Sequence, residues 1–385
     1  MQKKMIALAI AGLASSAALA QTQVTLYGVA DAGQAWVKGE GRGPNNDQKR
    51  VGRLDSNSSL LGFKGTEDLG NGLKAIFQME TQLDISNGSG FIGGRDTYVG
   101  LGGNFGTVLG GILTHPMRLM GAKVDILPGA AGFGTTAAVT GQISGLGVHT
   151  GADDRATNTL AYITPIFGGG FSATAAYING ESRVEDNNAP KVNAKAWQIA
   201  GQYDNGPLYV ALAYHKTTDM LNQQHPALNA NCGSACSAIG AGLDATVWRV
   251  AGIYTAPFGT RFSALYDHTK LDRSDVNETT LKRSAWSLGV AHTFGNNTLG
   301  LQYARSGDTS VSGGPDFNDS TRIWTLAYQY ALSKRTMLQA RYSDLKNDRD
   351  GKSNFYLNSV ANNGQNVAGG GAKYSGFMVG VRHTF

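Results

Sequence analysis

Period two runs through this chain from its early residues to its end. Between Leu73 and Asp84, Leu73, Ala75, Phe77, Met79 and Leu83 share one parity, and Lys74, Gln78, Glu80, Gln82 and Asp84 share the other. An extended strand puts alternate side chains on opposite faces, so this pattern predicts a strand with one apolar and one polar side. The same split sets Phe171, Ala173, Ala175 and Tyr177 against Ser172 and Thr174. It recurs with Trp324, Leu326, Tyr328 and Tyr330 against Thr325, Ala327 and Gln329, and with Phe377, Val379, Val381 and Phe385 against Gly380, Arg382 and Thr384. Beyond the first twenty residues no helical repeat of comparable length competes.

The connections alternate in length. Short turn signals fall at 67–72, 102–106, 168–170, 204–207, 257–259, 295–297 and 333–335. Longer polar segments lie between them, around 38–50, 85–94, 112–155, 180–192, 219–243, 270–281, 306–320 and 345–371. Seven short turns and eight long loops require sixteen antiparallel strands, at roughly 23 residues per strand and connection. A sheet of that size is expected to close, because closure removes its edges and is the one sheet topology that lipid permits. Trp36, Tyr177, Tyr203, Tyr254, Trp286, Phe294 and Tyr330 sit near strand ends, where a membrane barrel carries interfacial aromatics. The expected fold class is therefore all-β, a sixteen-stranded antiparallel transmembrane β-barrel.

Composition narrows the field further. Of 385 residues 53 are Gly, and only 16% are charged against roughly 25% in an average soluble domain. Those values exclude a coiled coil, an intrinsically disordered chain and a disulfide scaffold. Lys3 and Lys4, the apolar run Met5 to Ala14 and Ala18-Leu19-Ala20 read as a cleaved secretory leader over residues 1–20, leaving a single domain from 21 to 385. The net charge of +5 falls to +3 when Lys3 and Lys4 leave with it, and no Lys/Arg run is clustered, so nucleic acid is not an expected partner. Cys232 and Cys236 share one polar stretch. In an oxidising compartment they are expected to form a small loop disulfide, since no second ligand pair follows to complete a zinc site.

Several segments carry a more specific signal. They are Val24-Thr25-Leu26-Tyr27-Gly28-Val29, Leu61-Gly62-Phe63-Lys64-Gly65-Thr66-Glu67-Asp68-Leu69-Gly70, Tyr98-Val99-Gly100-Leu101, Asn104-Phe105-Gly106-Thr107-Val108, Tyr330-Ala331-Leu332-Ser333-Lys334-Arg335-Thr336 and the terminal Val379-Gly380-Val381-Arg382-His383-Thr384-Phe385. Together, in this order and across the whole mature chain, they resemble the general porins of Gram-negative β-proteobacteria. The resemblance implies a homotrimer in the outer membrane of a Gram-negative cell, with a water-filled channel for passive diffusion of ions and small hydrophilic solutes. It also implies a third long loop folded inward to narrow each pore, and a terminal aromatic, Phe385, presented to the outer-membrane insertion machinery. Surrounding lipid, that machinery, solutes and ions are then the partners, and no cofactor or metal is implied.

The segment from about 113 to 155 stands where that loop belongs, and a loop that long in a compact protein is usually functional. It carries Arg118, Lys123, Asp125, Asp153 and Asp154. In such porins basic wall residues face acidic groups on the loop. Arg95 and Arg155 match the family's positions for the basic wall, whereas Leu60 and Gly111 stand where it has arginine. Lys64 shares the lumen parity and is expected to supplement that wall. Lys74, Gln78, Glu80 and Asp84 are expected to line the pore.

An enzyme is not expected. The seven histidines are scattered, Asp267-His268 is the one adjacent acid–imidazole pair and points to two faces, and no G-x-S-x-G or H-E-x-x-H motif occurs. Two alternatives use the same scaffold, a substrate-selective channel and a closed structural or adhesive barrel.

Overall fold

A computed structural model describes residues 23–41, 47–88, 94–143, 148–184, 192–220, 243–273, 280–356, 358–362, 365–366 and 370–385. The leader (1–20) and the pair Cys232 and Cys236 lie outside these residues.

The barrel strands in chain order are β1 (Gln23–Glu40), β2 (Gln48–Ser56 and Leu60–Gly70), β3 (Leu73–Gln82), β4 (Thr97–Gly103), β5 (Gly106–Thr114), β6 (Arg155–Ile163), β7 (Phe171–Val184) and β8 (Val192–Asn205). They continue with β9 (Leu208–Met220), β10 (Leu243–Thr255), β11 (Thr260–Arg273), β12 (Thr280–Phe294), β13 (Asn297–Ser306), β14 (Thr321–Ala331), β15 (Thr336–Asn347) and β16 (Lys373–Thr384). Each pairs antiparallel with the next. The last, β16, pairs with β1 from Val29↔Thr384 to Glu40↔Lys373, which closes the sheet. The seven short turns and eight long connections fall where the sequence places them. β2 is interrupted at residues 57–59, where the Asn57 amide donates to Asp31 O at 2.9 Å and the Asp31 amide donates to Ser59 Oγ at 3.0 Å. Hydrogen bonding to β1 is therefore kept across the break.

Side chains alternate as the parity predicts. Phe63, Met79, Val99, Leu101, Leu212, Leu288 and Val379 are exposed on the outer face, while Gln198, Arg249, Gln302, Thr325 and Ser343 are buried on the inner one. Outward aromatics form a row near the long-loop ends of the strands. Trp197 and Tyr214, Trp248 and Tyr266, and Trp324 and Tyr342 each pack with ring centroids 5.2 Å apart. Trp286 and Tyr303 stand at 5.4 Å and Trp36 and Phe377 at 5.9 Å. With Tyr177 opposite Trp197, the row takes one aromatic from each of β7 to β16 and from β1. It stops at β2 to β6, where Gly52 lies opposite Trp36 and Leu160 opposite Tyr177.

One helix, α1 (Pro116–Val124), opens the loop between β5 and β6. Pro116 at its first position suits a helix start, where its missing N–H costs nothing. Met117, Met120 and Val124 are buried among Tyr209, Ala211, Ala213, Val247 and Leu265 of β9 to β11.

Candidate functional site

The 115–154 loop is held to strands on the far side of the barrel from its own roots. The Met117 amide donates to Gln198 Oε1 at 3.2 Å, and the Gly141 amide to Asp267 Oδ2 at 2.8 Å. Gln302 receives the Ile126 amide at 3.0 Å and donates to Gly134 O at 2.8 Å, while Thr325 Oγ1 donates to the same carbonyl at 2.7 Å. Arg341 Nη1 donates to Ala131 O at 2.6 Å. These contacts cover the inner faces of β8 to β15. Lys123 pairs with Asp204, which lies beside the short turn after β8 and so at the opposite end of the barrel from the loop's origin. Phe133 of the loop is fully buried with Ala35, Val37, Ile323, Leu345 and Met378 of the wall. Gly132 makes this approach possible: its φ is +81°, and a Cβ there would stand 2.2 Å from Asn57 Oδ1.

Arg249 is the strongest anchor. It is fully buried and reaches Asp153 Oδ2 at 2.7 Å, Asp267 Oδ2 at 2.7 Å and Met117 O at 2.9 Å. Two carboxylates thereby balance one buried guanidinium, the condition under which such a group is tolerated. At the loop's root, His115 Nδ1 donates to Gly151 O at 2.8 Å, and burial pushes the imidazole below its ordinary range. Asp125 is buried and accepts the Leu127 amide at 2.8 Å and the Thr136 amide at 2.9 Å, while burial pushes its carboxyl upward. It holds the loop's own fold.

The wall from β16 through β1 to β6 carries a band of charge. Arg95 Nε pairs with Glu80 at 3.0 Å, and Tyr27 donates to the other Glu80 oxygen at 2.8 Å. Arg155 pairs with Asp96 at 2.8 Å, Arg53 with Asp55 at 2.8 Å and Arg382 with Asp31 at 2.8 Å. The two arginines expected on the wall thus stand together, Arg155 feeling the charges of Arg95 and Arg118. Lys64 lies 5.0 Å from the Tyr27 ring centroid, and with Lys74, Gln78 and Tyr98 it borders a depression of about 500 Å³. Asp84 lies past the end of β3, where it accepts the Ser86 amide at 2.8 Å. Leu60 is buried. Gly111 has φ +148° at a register shift, and a Cβ there would meet Thr97 O at 2.2 Å. Phe385 exchanges two backbone hydrogen bonds with Gly28, at 3.0 and 3.1 Å.

Sequence reasoning missed Arg53, Arg249, Arg283, Arg341, Arg382 and Asp31. Each sits on the inner parity of its strand, as Arg249 does between exposed Trp248 and Val250, so the period-two signal would have found them.

The chain is similar to known proteins. A family model described as Gram-negative porin matches residues 7–350. The chain is 32% identical over 394 residues to outer membrane porin protein 32 of Delftia acidovorans, with all of both chains covered. It is 29% identical to an outer membrane porin protein of Bordetella pertussis, covering 90% of this chain and 95% of the relative. Among solved structures, the anion-selective porin from Comamonas acidovorans superposes with a TM-score of 0.72 at 28% identity, over 95% of this chain and 100% of that one.

Proposed function

Because this chain belongs to the Gram-negative porin family, we propose that its 115–154 loop narrows the lumen to an eyelet beside β1 to β6 and that this eyelet weakly favours anions. The protein is an outer-membrane porin, a channel for passive diffusion. The observation that carries the selectivity is the balance of charge along the wall from β16 through β1 to β6 and on the loop that faces it. Arg53, Arg95, Arg155 and Arg382 each have a carboxylate partner, whereas Lys64, Lys74 and Arg118 form no ion pair among the described residues. Paired charges largely cancel at the distance of a passing ion. The unpaired cations leave a small positive field, weakly screened in a narrow space. The anion-selective relative of the same fold agrees in sign.

The working unit is proposed to be a homotrimer. Aromatics that ring a barrel belong at a lipid–water interface, and β2 to β6 take no part in the row at the long-loop ends while exposing Phe63, Met79, Val99, Leu101 and Leu160. That face suits burial against a neighbouring copy. Residues 1–20 act as the cleaved leader, Phe385 as the recognition end for insertion, and Cys232 with Cys236 as a loop disulfide. No enzymatic activity is assigned: Asp267 is engaged with Arg249, while His268 contacts Ser284 at 2.9 Å on the opposite face of β11.

Swelling of proteoliposomes in isotonic sugars tests the function. Rates should fall smoothly with solute size without saturating. Saturation by one sugar would favour a substrate-selective channel, and absence of swelling a closed barrel.

A further inference from the structure

Between β15 and β16, residues 353–356 and 358–360 lie against the 115–154 loop and β2. Phe355 is buried against Phe133, with ring centroids 5.2 Å apart, in a cluster that includes Val360, Leu345 and Met378. Next to it, Tyr356 receives a hydrogen bond on its hydroxyl from Arg118 Nη1 at 2.9 Å, and the guanidinium carbon stands 5.7 Å from its ring centroid. Two residues on, the backbone carbonyls of Asn358 and Ser359 accept from Arg53, the latter at 2.7 Å. Asn358 Nδ2 donates to Ser56 O at 3.3 Å. The segment is pinned on both sides of Tyr356, which fixes where its ring can stand.

Arg118 differs from the other arginines of the eyelet. Its acceptors are the Asp153 backbone carbonyl at 3.0 Å and the Tyr356 hydroxyl, both neutral, so its charge has no carboxylate partner among the described residues. Arg118 and Tyr356 border one small cavity of about 40 Å³ together with Asp125, Asp153 and Arg249; Asp153 is paired with Arg249, and Asp125 is tied to the Leu127 and Thr136 amides. A guanidinium presents a planar fork that matches a carboxylate's two oxygens, and it also stacks on aromatic rings. The phenol therefore occupies the place a passing carboxylate would take.

We propose that Tyr356 is a specificity-determining residue of this pore, a cover on an Arg118 subsite for small carboxylate anions. The ring and hydroxyl compete with the anion for the guanidinium, which lowers dwell time and keeps the anion preference weak. This rests on the porin reading above.

The test is zero-current potential in planar bilayers under a potassium chloride gradient and again with potassium acetate, using purified assembled protein. Tyr356→Ala should raise the anion-to-cation permeability ratio roughly two- to fivefold at low salt, the factor an ordinary cation–π contact corresponds to. The acetate shift should exceed the chloride shift. Tyr356→Phe, which keeps the ring and the packing, should move the ratio in the same direction by less. In an Arg118→Gln background Tyr356→Ala should change nothing. An unchanged ratio in assembled Tyr356→Ala channels, or a shift that persists without Arg118, overturns the assignment. If Tyr356→Ala does not assemble, an acetate ratio unmoved by Tyr356→Phe overturns it. A wild-type protein that opens no channels overturns the porin reading and this inference with it.

Discussion

Glu80 and Asp96 each lie within 3.0 Å of an arginine on a neighbouring element, and that pairing alters what neutralisation does. Removing Arg95 and Arg155 deletes two positive charges and also releases two carboxylates into a confined space. Arg95→Gln with Arg155→Gln is therefore expected to carry the reversal potential past neutrality to the cation side at low salt. Arg95→Gln with Glu80→Gln, which removes a pair, should leave it near the wild-type value. Equal potentials for the two double variants would show that these pairs do not line the conducting path. Gly111 is a second residue-scale case. Its positive φ and the 2.2 Å approach of Thr97 O leave no room for a side chain there. Gly111→Ala should cost about 1–3 kcal/mol through backbone strain, read as a lower temperature for heat-induced loss of the folded band on gels. Arg95 and Arg155 were legible in the sequence because both stand beside motifs that resemble a family. Arg53, Arg249, Arg341 and Arg382 were equally legible as inner-parity residues. What could not be read was their partners, because the cross-strand pairs Arg382–Asp31 and Arg249–Asp267 depend on strand register, and the contacts of Arg249 and Arg341 with the 115–154 loop depend on that loop's path.

Strands were the legible elements, since each separates a lipid face from an inner face and the two differ in chemistry at every step. The helix α1 was not recognised in a segment read as loop, although Met117, Met120 and Val124 carry the i, i+3, i+7 spacing. Nine residues are too few for that spacing to stand out from the surrounding Gly and Ala. The helix matters because it ties the loop to the wall. Arg249→Ala leaves Asp153 and Asp267 buried without their cation, a loss of about 3–5 kcal/mol. It should loosen the loop, seen as larger current noise and earlier voltage closure in single-channel records; unaltered noise in a folded variant would contradict the anchoring role. His115 gives the loop root a pH dependence of defined sign. Unfolded, the imidazole takes up a proton near 6.5, whereas the buried one holds off until lower pH. Its contribution to stability is therefore complete above that value and is lost as the pH falls through the window below it. Hydrogen-exchange protection at the Gly151 region, taken relative to the intrinsic amide rate at each pH, should fall as the pH drops below 6.5 in the wild type and fall less in His115→Asn.

At the scale of the whole molecule, closure between β16 and β1 satisfies every strand edge, and Phe385 finishes that seam with two backbone hydrogen bonds to Gly28. Deleting Phe385 should sharply reduce the amount of protein reaching the outer membrane, as measured by surface labelling. The aromatic row that spares β2 to β6 leaves one broad apolar face, and an SDS-resistant, heat-modifiable trimer is its expected consequence. The barrel was legible because turns and loops alternate in length along the entire chain. The proposed off-centre passage was not, since it depends on how the 115–154 loop and the segment after β15 pack around Phe133 and Phe355. That arrangement leaves the paired arginines and the unpaired Arg118, Lys64 and Lys74 facing the same path, which is the central claim. Its most direct test is the zero-current potential of the wild-type channel in a planar bilayer under a potassium chloride gradient, taken at low and at high salt. The account predicts a modest displacement to the anion side at low salt that fades as salt rises. A potential on the cation side, or one indifferent to ionic strength, would contradict it.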